Sequence, residues 1–315
     1  MPSRSRPSED YRSAFSRWEE RSSVRVKPRR ILEEVEQGKV PFPPGLVPLL
    51  YHPLVREQSE SVISAILLRR LHVYLDFTAD LEQLVVTPTT QLISRRRSGF
   101  DLPEEMLSDS YKICTDEVWH AQFSDDLQRQ LVAATGLRPK TLGDPYFMAR
   151  LSEIKAELDT SLRPLADVFF TTVSETLISG ILGAVPRDQA VFTAVRETVA
   201  DHAEDEGRHH AYFTRFFEYA WPQLTASQRE TMGALLPEFA VAFLKPDLAA
   251  MVGILEPAEL DPDAALAVIE ETYPDDRVHA DMRAAAGAML RLFERNGVFA
   301  SARAADAFGR CGLLS

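Results

Sequence analysis

The sequence is poor in cysteine, in excess basic charge and in long uninterrupted apolar runs, and each shortage closes a class of explanation. Two cysteines in 315 residues, Cys114 and Cys311, can build neither a disulfide framework nor a cysteine-based zinc site, and a reducing cytoplasm is the expected setting. Acidic residues outnumber basic ones by 47 to 35, a formal charge of −12. A general nucleic-acid binder needs a basic face, so no nucleic-acid partner is expected. No uninterrupted apolar run of about 18 residues occurs, so no membrane span is expected. The Arg- and Ser-rich start lacks the apolar stretch of a secretory signal. There is no His-Glu-x-x-His, which removes a zincin, and no alternating run that reads as a strand.

What is present is helical periodicity over a hydrophobic content of 45 %, ordinary for a chain that buries a full core. Val62, Ile63, Ile66, Leu67, Leu71, Tyr74, Leu75, Thr78 and Leu81 recur at helical spacing over 54–83, with Pro88 as the expected break. A second helix starts near Pro103-Glu104-Glu105 and runs to about Ala134, before Gly136. Further helices are expected over 146–158, from Pro164 to Leu182, and from Pro186 to Tyr219, with shorter ones over 232–244, 264–271 and 283–293. The chain reads as all-α. Residues 1–44 form a partly ordered N-terminal arm, and 45–315 a single domain whose metal-binding core spans about 54–220.

The chemistry concentrates in Asp201-His202-Ala203-Glu204-Asp205-Glu206-Gly207-Arg208-His209-His210. On a helix, His202, Glu206 and His209 fall within about 60° of arc, so two imidazoles and a carboxylate share one stripe. Asp116-Glu117-Val118-Trp119-His120 supplies a second Glu-x-x-His. Glu175 lies inside an apolar helix, where an unpaired charge is costly, and Glu82 ends the first long helix. Glu82 precedes Glu117 by 35 residues and Glu175 precedes Glu206 by 31. The pattern is a twofold pseudo-repeat of Glu…Asp-Glu-x-x-His, the donor set with which a helix bundle holds two metal ions. Asp116 and Asp205 are placed to accept the outer ring N–H of a ligating histidine on the opposite helix, and Arg208 to hold one of them. Glu204 reads as a solvated charge and His210 as structural or exposed. His52, His72 and His279 lack ligand-spaced partners, and Cys114 reads as packing.

Glu82, Glu117, His120, Glu175, His202, Glu206 and His209 together resemble the seven-ligand set of the non-haem di-iron N-oxygenase family typified by p-aminobenzoate N-oxygenase. The third imidazole, His202, is the specific part of the match. The resemblance implies a ferritin-like four-helix core with additional N- and C-terminal helices, two non-haem iron ions, O2 as co-substrate and a homodimer. It further implies oxidation of an amine toward hydroxylamine, nitroso or nitro products, in secondary metabolism such as antibiotic biosynthesis, with an external electron donor. Tyr74, Phe77, Thr78, Ala121, Ser124, Thr171 and Ile178 are expected around the metals. No cationic clamp for an aryl carboxylate stands beside Glu82, which leaves open another arylamine, an aliphatic amine or a carrier-protein-tethered amine. The rival readings are a di-iron C–H hydroxylase or desaturase, disfavoured by His202, and a non-catalytic iron-binding protein.

Overall fold

The computed structural model describes residues 11–140 and 143–314, with backbone alone at 179–181. The first ten residues of the expected arm, and the side chain of Ile181, lie outside the described residues. Helices of eight or more residues are α1 (Glu60–Leu81), α2 (Thr87–Ser94), α3 (Glu104–Thr135), α4 (Tyr146–Glu157), α5 (Arg163–Leu177), α6 (Thr193–Ala220), α7 (Ala226–Leu244), α8 (Leu248–Leu255), α9 (Pro262–Thr272), α10 (Asp275–Arg295) and α11 (Ala302–Arg310). Among the described residues there is no strand; one isolated parallel bridge joins Val40 to Val191. The fold is all-α and ferritin-like.

Four helices make the core: α3 packs on α1 and α6, and α5 packs on α6. The expected apolar face of α1 is the face it buries, from Ile66 through Leu71 and Leu75 to Leu81. Its start is capped by the Ser59 hydroxyl, which accepts from the Val62 N–H. α3 stops where expected, at Gly136, whose φ of 76° is the left-handed conformation that terminates helices at little cost in glycine. The C-terminal helices form an outer layer, with α7 and α10 on α5, α11 on α7 and α8 on α1. Aromatic contacts knit that layer to the core: Phe217 of α6 meets Phe293 of α10 at 4.9 Å, and Phe293 meets Phe308 of α11 at 6.0 Å.

Three expectations are corrected. Pro88 does not end the first helical rod. Residues Glu82–Val86 form a π turn in which the Thr87 N–H donates to the Glu82 carbonyl five residues back, and α2 continues from there. The absent N–H of Pro88 falls in the first turn of α2, where the hydrogen-bond ladder has already been reset. Pro186 does not open the helix that carries His202; it sits in a 3-10 turn, Val185–Arg187, and α6 begins at Thr193. The stretch after Pro164 is interrupted at Ile178 rather than continuous to Leu182. Residues 163–187 would be long and apolar enough to cross a membrane by length and composition, yet 80 % of the most apolar window is buried inside the fold. Every residue from Val168 to Leu177 is buried, which marks α5 as a core helix surrounded by others.

Candidate metal centre

Each of the four core helices brings acid to one point. Glu82 comes from the π turn after α1, Glu117 and His120 from α3, Glu175 from α5, and His202, Glu206 and His209 from α6. All seven side chains are buried, none more than 2 % exposed. Their donor atoms fall into three overlapping groups in which all atoms lie within 4.8 Å of one another: Glu82, His120, His202 and Glu206; Glu117, His120, Glu206 and His209; and Glu82, Glu117 and Glu175. The π turn matters here, because one extra residue in a helical turn rotates a side chain by about 100° relative to the chain beyond it.

The imidazoles are oriented from outside. His120 points Nδ1 inward, 3.0 Å from Glu117 Oε2 and 3.4 Å from Glu206 Oε1, while its Nε2 lies 3.1 Å from Asp205 Oδ2. His209 does the same, with Nδ1 3.0 Å from Glu117 Oε1 and 3.1 Å from Glu206 Oε1, and Nε2 3.3 Å from Asp116 Oδ2. Each aspartate therefore serves the histidine of the other helix, as the pseudo-repeat predicts. An Nε2–H donated to a carboxylate leaves the Nδ1 lone pair facing inward, the tautomer a metal requires. Arg208 pairs with Asp205. His202 presents Nε2, 3.3 Å from Glu206 Oε1 and 3.5 Å from Glu82 Oε1.

The residues set aside from the site are placed elsewhere. Glu204 is exposed and paired with Lys27, and His210 and Cys114 are half-buried. His52 meets Glu271, His72 meets the Leu137 carbonyl, and His279 meets the Asp275 carbonyl. Of the residues expected around the metals, Phe77 turns instead to Phe147 and Phe243, at 5.1 and 5.7 Å. Thr171 bonds to Thr89, from the rod beyond Glu82. Phe123, which the spacing did not single out, lies against the rings of His120 (5.3 Å) and His202 (5.8 Å). It also lines a cavity of about 170 Å³ shared with Trp119, Thr198, Asp201 and residues 27–30.

Charge decides what this cluster needs. Burial first, then the neighbouring glutamates, pushes the Glu82 and Glu175 carboxyls well above the usual carboxylate range. Burial acts the same way on Glu117 and Glu206, but the imidazoles beside them outweigh it and hold both below that range. Burial opposes charge on His120 and His209 too; Asp205 and the cluster glutamates outweigh it for His120, and Glu117 and Glu206 for His209, so both are raised. His202 is lowered by burial and by His120. Burial and crowding thus oppose the charged form of two of the four glutamates. Both oxygens of Glu82 and Glu175 and Oε2 of Glu206 are buried without a hydrogen-bond partner among the described residues. Such orphaned acceptors are costly. Four glutamates and three neutral imidazoles match the charge and donor preference of two divalent ions of intermediate hardness, so the residues fit a dinuclear centre.

Sequence reasoning missed the residues that support the aspartates. Trp18 and Ser22 donate to Asp116, and the Ser23 N–H to Asp205. These contacts span 94 to 182 positions, and no local spacing announces them.

No curated protein matches the chain. A family model described as p-aminobenzoate N-oxygenase AurF matches residues 20–297, a span that includes all seven donors, both aspartates and most of the C-terminal layer. The chain belongs to the p-aminobenzoate N-oxygenase AurF family.

Proposed function

We propose that the protein is an O2-dependent di-iron monooxygenase that N-oxygenates an amine. The observation that carries this reading is the third imidazole. His202 joins Glu82, His120 and Glu206 in one donor group, beside a second of Glu117, His120, Glu206 and His209 and a third of Glu82, Glu117 and Glu175. The cluster therefore carries three imidazoles where two Glu-x-x-His units alone would carry two. Two bound irons supply the redox chemistry that activates O2 for delivery of one oxygen atom to nitrogen. For a first oxidation the balance is R–NH2 + O2 + 2e⁻ + 2H⁺ → R–NHOH + H2O, so an external electron donor is required.

The chain's own residues set the conditions for that reaction. The buried cluster excludes bulk water, which protects reactive species and strengthens local electrostatics. Asp116 and Asp205 hold the outer ring N–H of His209 and His120 and so fix where their donor atoms point. Phe123 walls the imidazoles off from the adjoining cavity, and Tyr74 is buried near Glu82 and Glu206, its hydroxyl kept neutral by burial and by those carboxylates. An aromatic wall suits an arylamine, free or carrier-tethered; an electron donor, homodimer formation and a cytoplasmic role in secondary metabolism complete the proposal.

The test combines metal analysis with turnover. Protein loaded with ferrous iron should hold close to two irons per chain and add oxygen to members of an amine panel, detected by mass spectrometry. His202→Ala should remain helical and keep binding iron but lose N-oxygenation. Full activity in that variant, or one tightly held zinc per wild-type chain, would overturn the reading.

A further inference from the structure

We propose that the N-terminal segment from Phe15 to Ser23 is a positioning element for the two Glu-x-x-His helices, with Trp18 and Ser22 setting His209 through Asp116 and the Ser23 backbone setting His120 through Asp205. The inference rests on the di-metal reading above. Trp18 Nε1–H lies 2.9 Å from both oxygens of Asp116, and the Ser22 hydroxyl donates to the same carboxylate. The Ser23 N–H lies 3.2 Å from both oxygens of Asp205. Phe15 stacks on the His209 ring at 5.9 Å with planes 19° apart. Nine consecutive residues thus touch both halves of the pseudo-repeat.

The segment is fastened on either side of these contacts. Tyr11 donates to Asp109 at 2.7 Å; Arg29 grips Asp126, and Arg30 grips Asp201. The fastening partners lie on α3 and α6, the helices that carry the histidines. A buried carboxylate that keeps a full set of donors is fixed in plane, and its hydrogen bond to a ligating imidazole is then directional.

The two aspartates do not depend on the segment equally. Asp205 also pairs with Arg208 of its own helix. Asp116 has, among the described residues, only Trp18 and Ser22 besides His209 itself. Loss of the segment's side-chain donors should therefore loosen the His209 side of the site and spare the His120–His202 side.

The test is anaerobic titration of the full-length metal-free protein with Co(II), read by its visible absorption bands, for wild type, Trp18→Phe, Ser22→Ala and Ser22→Thr. Trp18→Phe and Ser22→Ala should weaken one of the two binding steps by about tenfold, at the low end of what loss of an outer hydrogen-bond partner costs, and alter the bands of that step alone. Ser22→Thr keeps the hydroxyl and should restore both. Unchanged titrations, equal weakening of both steps, or a threonine variant as impaired as the alanine variant would overturn the proposal. If Trp18→Phe fails to fold, the serine pair decides alone. A wild-type protein that binds no second ion would instead overturn the di-metal reading on which this one stands.

Discussion

At the scale of single residues, the candidate site was legible because its chemistry is written in helical spacing. Glu-x-x-His and His-x-x-x-Glu-x-x-His put their donors on one stripe whatever the rest of the chain does, and an aspartate before each glutamate lands on the neighbouring stripe. Trp18, Ser22, Ser23 and Phe123 carry no such mark, because their roles come from long-range packing. His72 was set aside for want of a partner and proves to have one of a different kind. Its ring, 1 % exposed, meets the Leu137 carbonyl at 3.1 Å, and burial pushes its pKa down to about 4 from the ordinary 6.5. A histidine whose folded pKa is depressed binds its proton more readily in the unfolded chain. Its contribution is therefore complete above pH 6.5, is lost as pH falls from 6.5 toward 4, and changes no further below that. The shift amounts to about 3 kcal/mol at most. His72→Gln should have a flatter stability curve than the wild type across that window, measured by denaturant unfolding at a series of pH values. Identical slopes in the two proteins would show that His72 does not titrate as described.

At the scale of elements, the existence of each long helix followed from periodicity, and the irregularities did not. Pro88 reads as a breaker because proline ordinarily removes an interior hydrogen bond, but a π turn just before it resets the ladder. Pro186 reads as a helix start because proline is favoured there, yet the chain first makes the 3-10 turn and the Val40–Val191 bridge before α6 begins. The π turn is the costlier feature, and it lies where Glu82 must face the other donors, a common place for such insertions. Leu84 faces solvent in that turn, as Gln83 does, and is 53 % exposed, so deleting it removes little packing. It should convert the π turn to an α turn and swing Glu82 by about 100° relative to α2. The variant should keep its far-ultraviolet helical signal and bind fewer than two metal ions per chain. Retention of two ions at wild-type affinity would mean that the turn does not aim Glu82.

At the scale of the molecule, the site sets function against stability. The fold gathers four glutamates and two aspartates at this one site, and burial together with the neighbouring glutamates disfavours the charged form of Glu82 and Glu175. Two divalent ions cancel the four glutamate charges, so metal loading should act as a large stabilising ligand. An ion at a thousand times its dissociation constant adds about 4 kcal/mol per site, worth roughly 6 °C in melting temperature for a chain of this size. Glu175 is the most informative place to test this, since it is the donor that α5 contributes, fully buried, with neither oxygen hydrogen-bonded among the described residues. Glu175→Gln preserves shape and removes a carboxyl whose charged form is disfavoured by burial and by Glu206 and Glu117. The metal-free variant should therefore melt higher than the metal-free wild type, by the equivalent of about 1–3 kcal/mol for one relieved buried group. With ferrous iron the order should reverse, because the variant loses a charged donor and with it most of the stabilisation by metal. Thermal melts of both proteins, with chelator and with iron, give the four numbers needed. A variant less stable than wild type by the same margin in both conditions would mean that Glu175 is a packing residue, and that the acid at the centre of this fold is not there to hold metal.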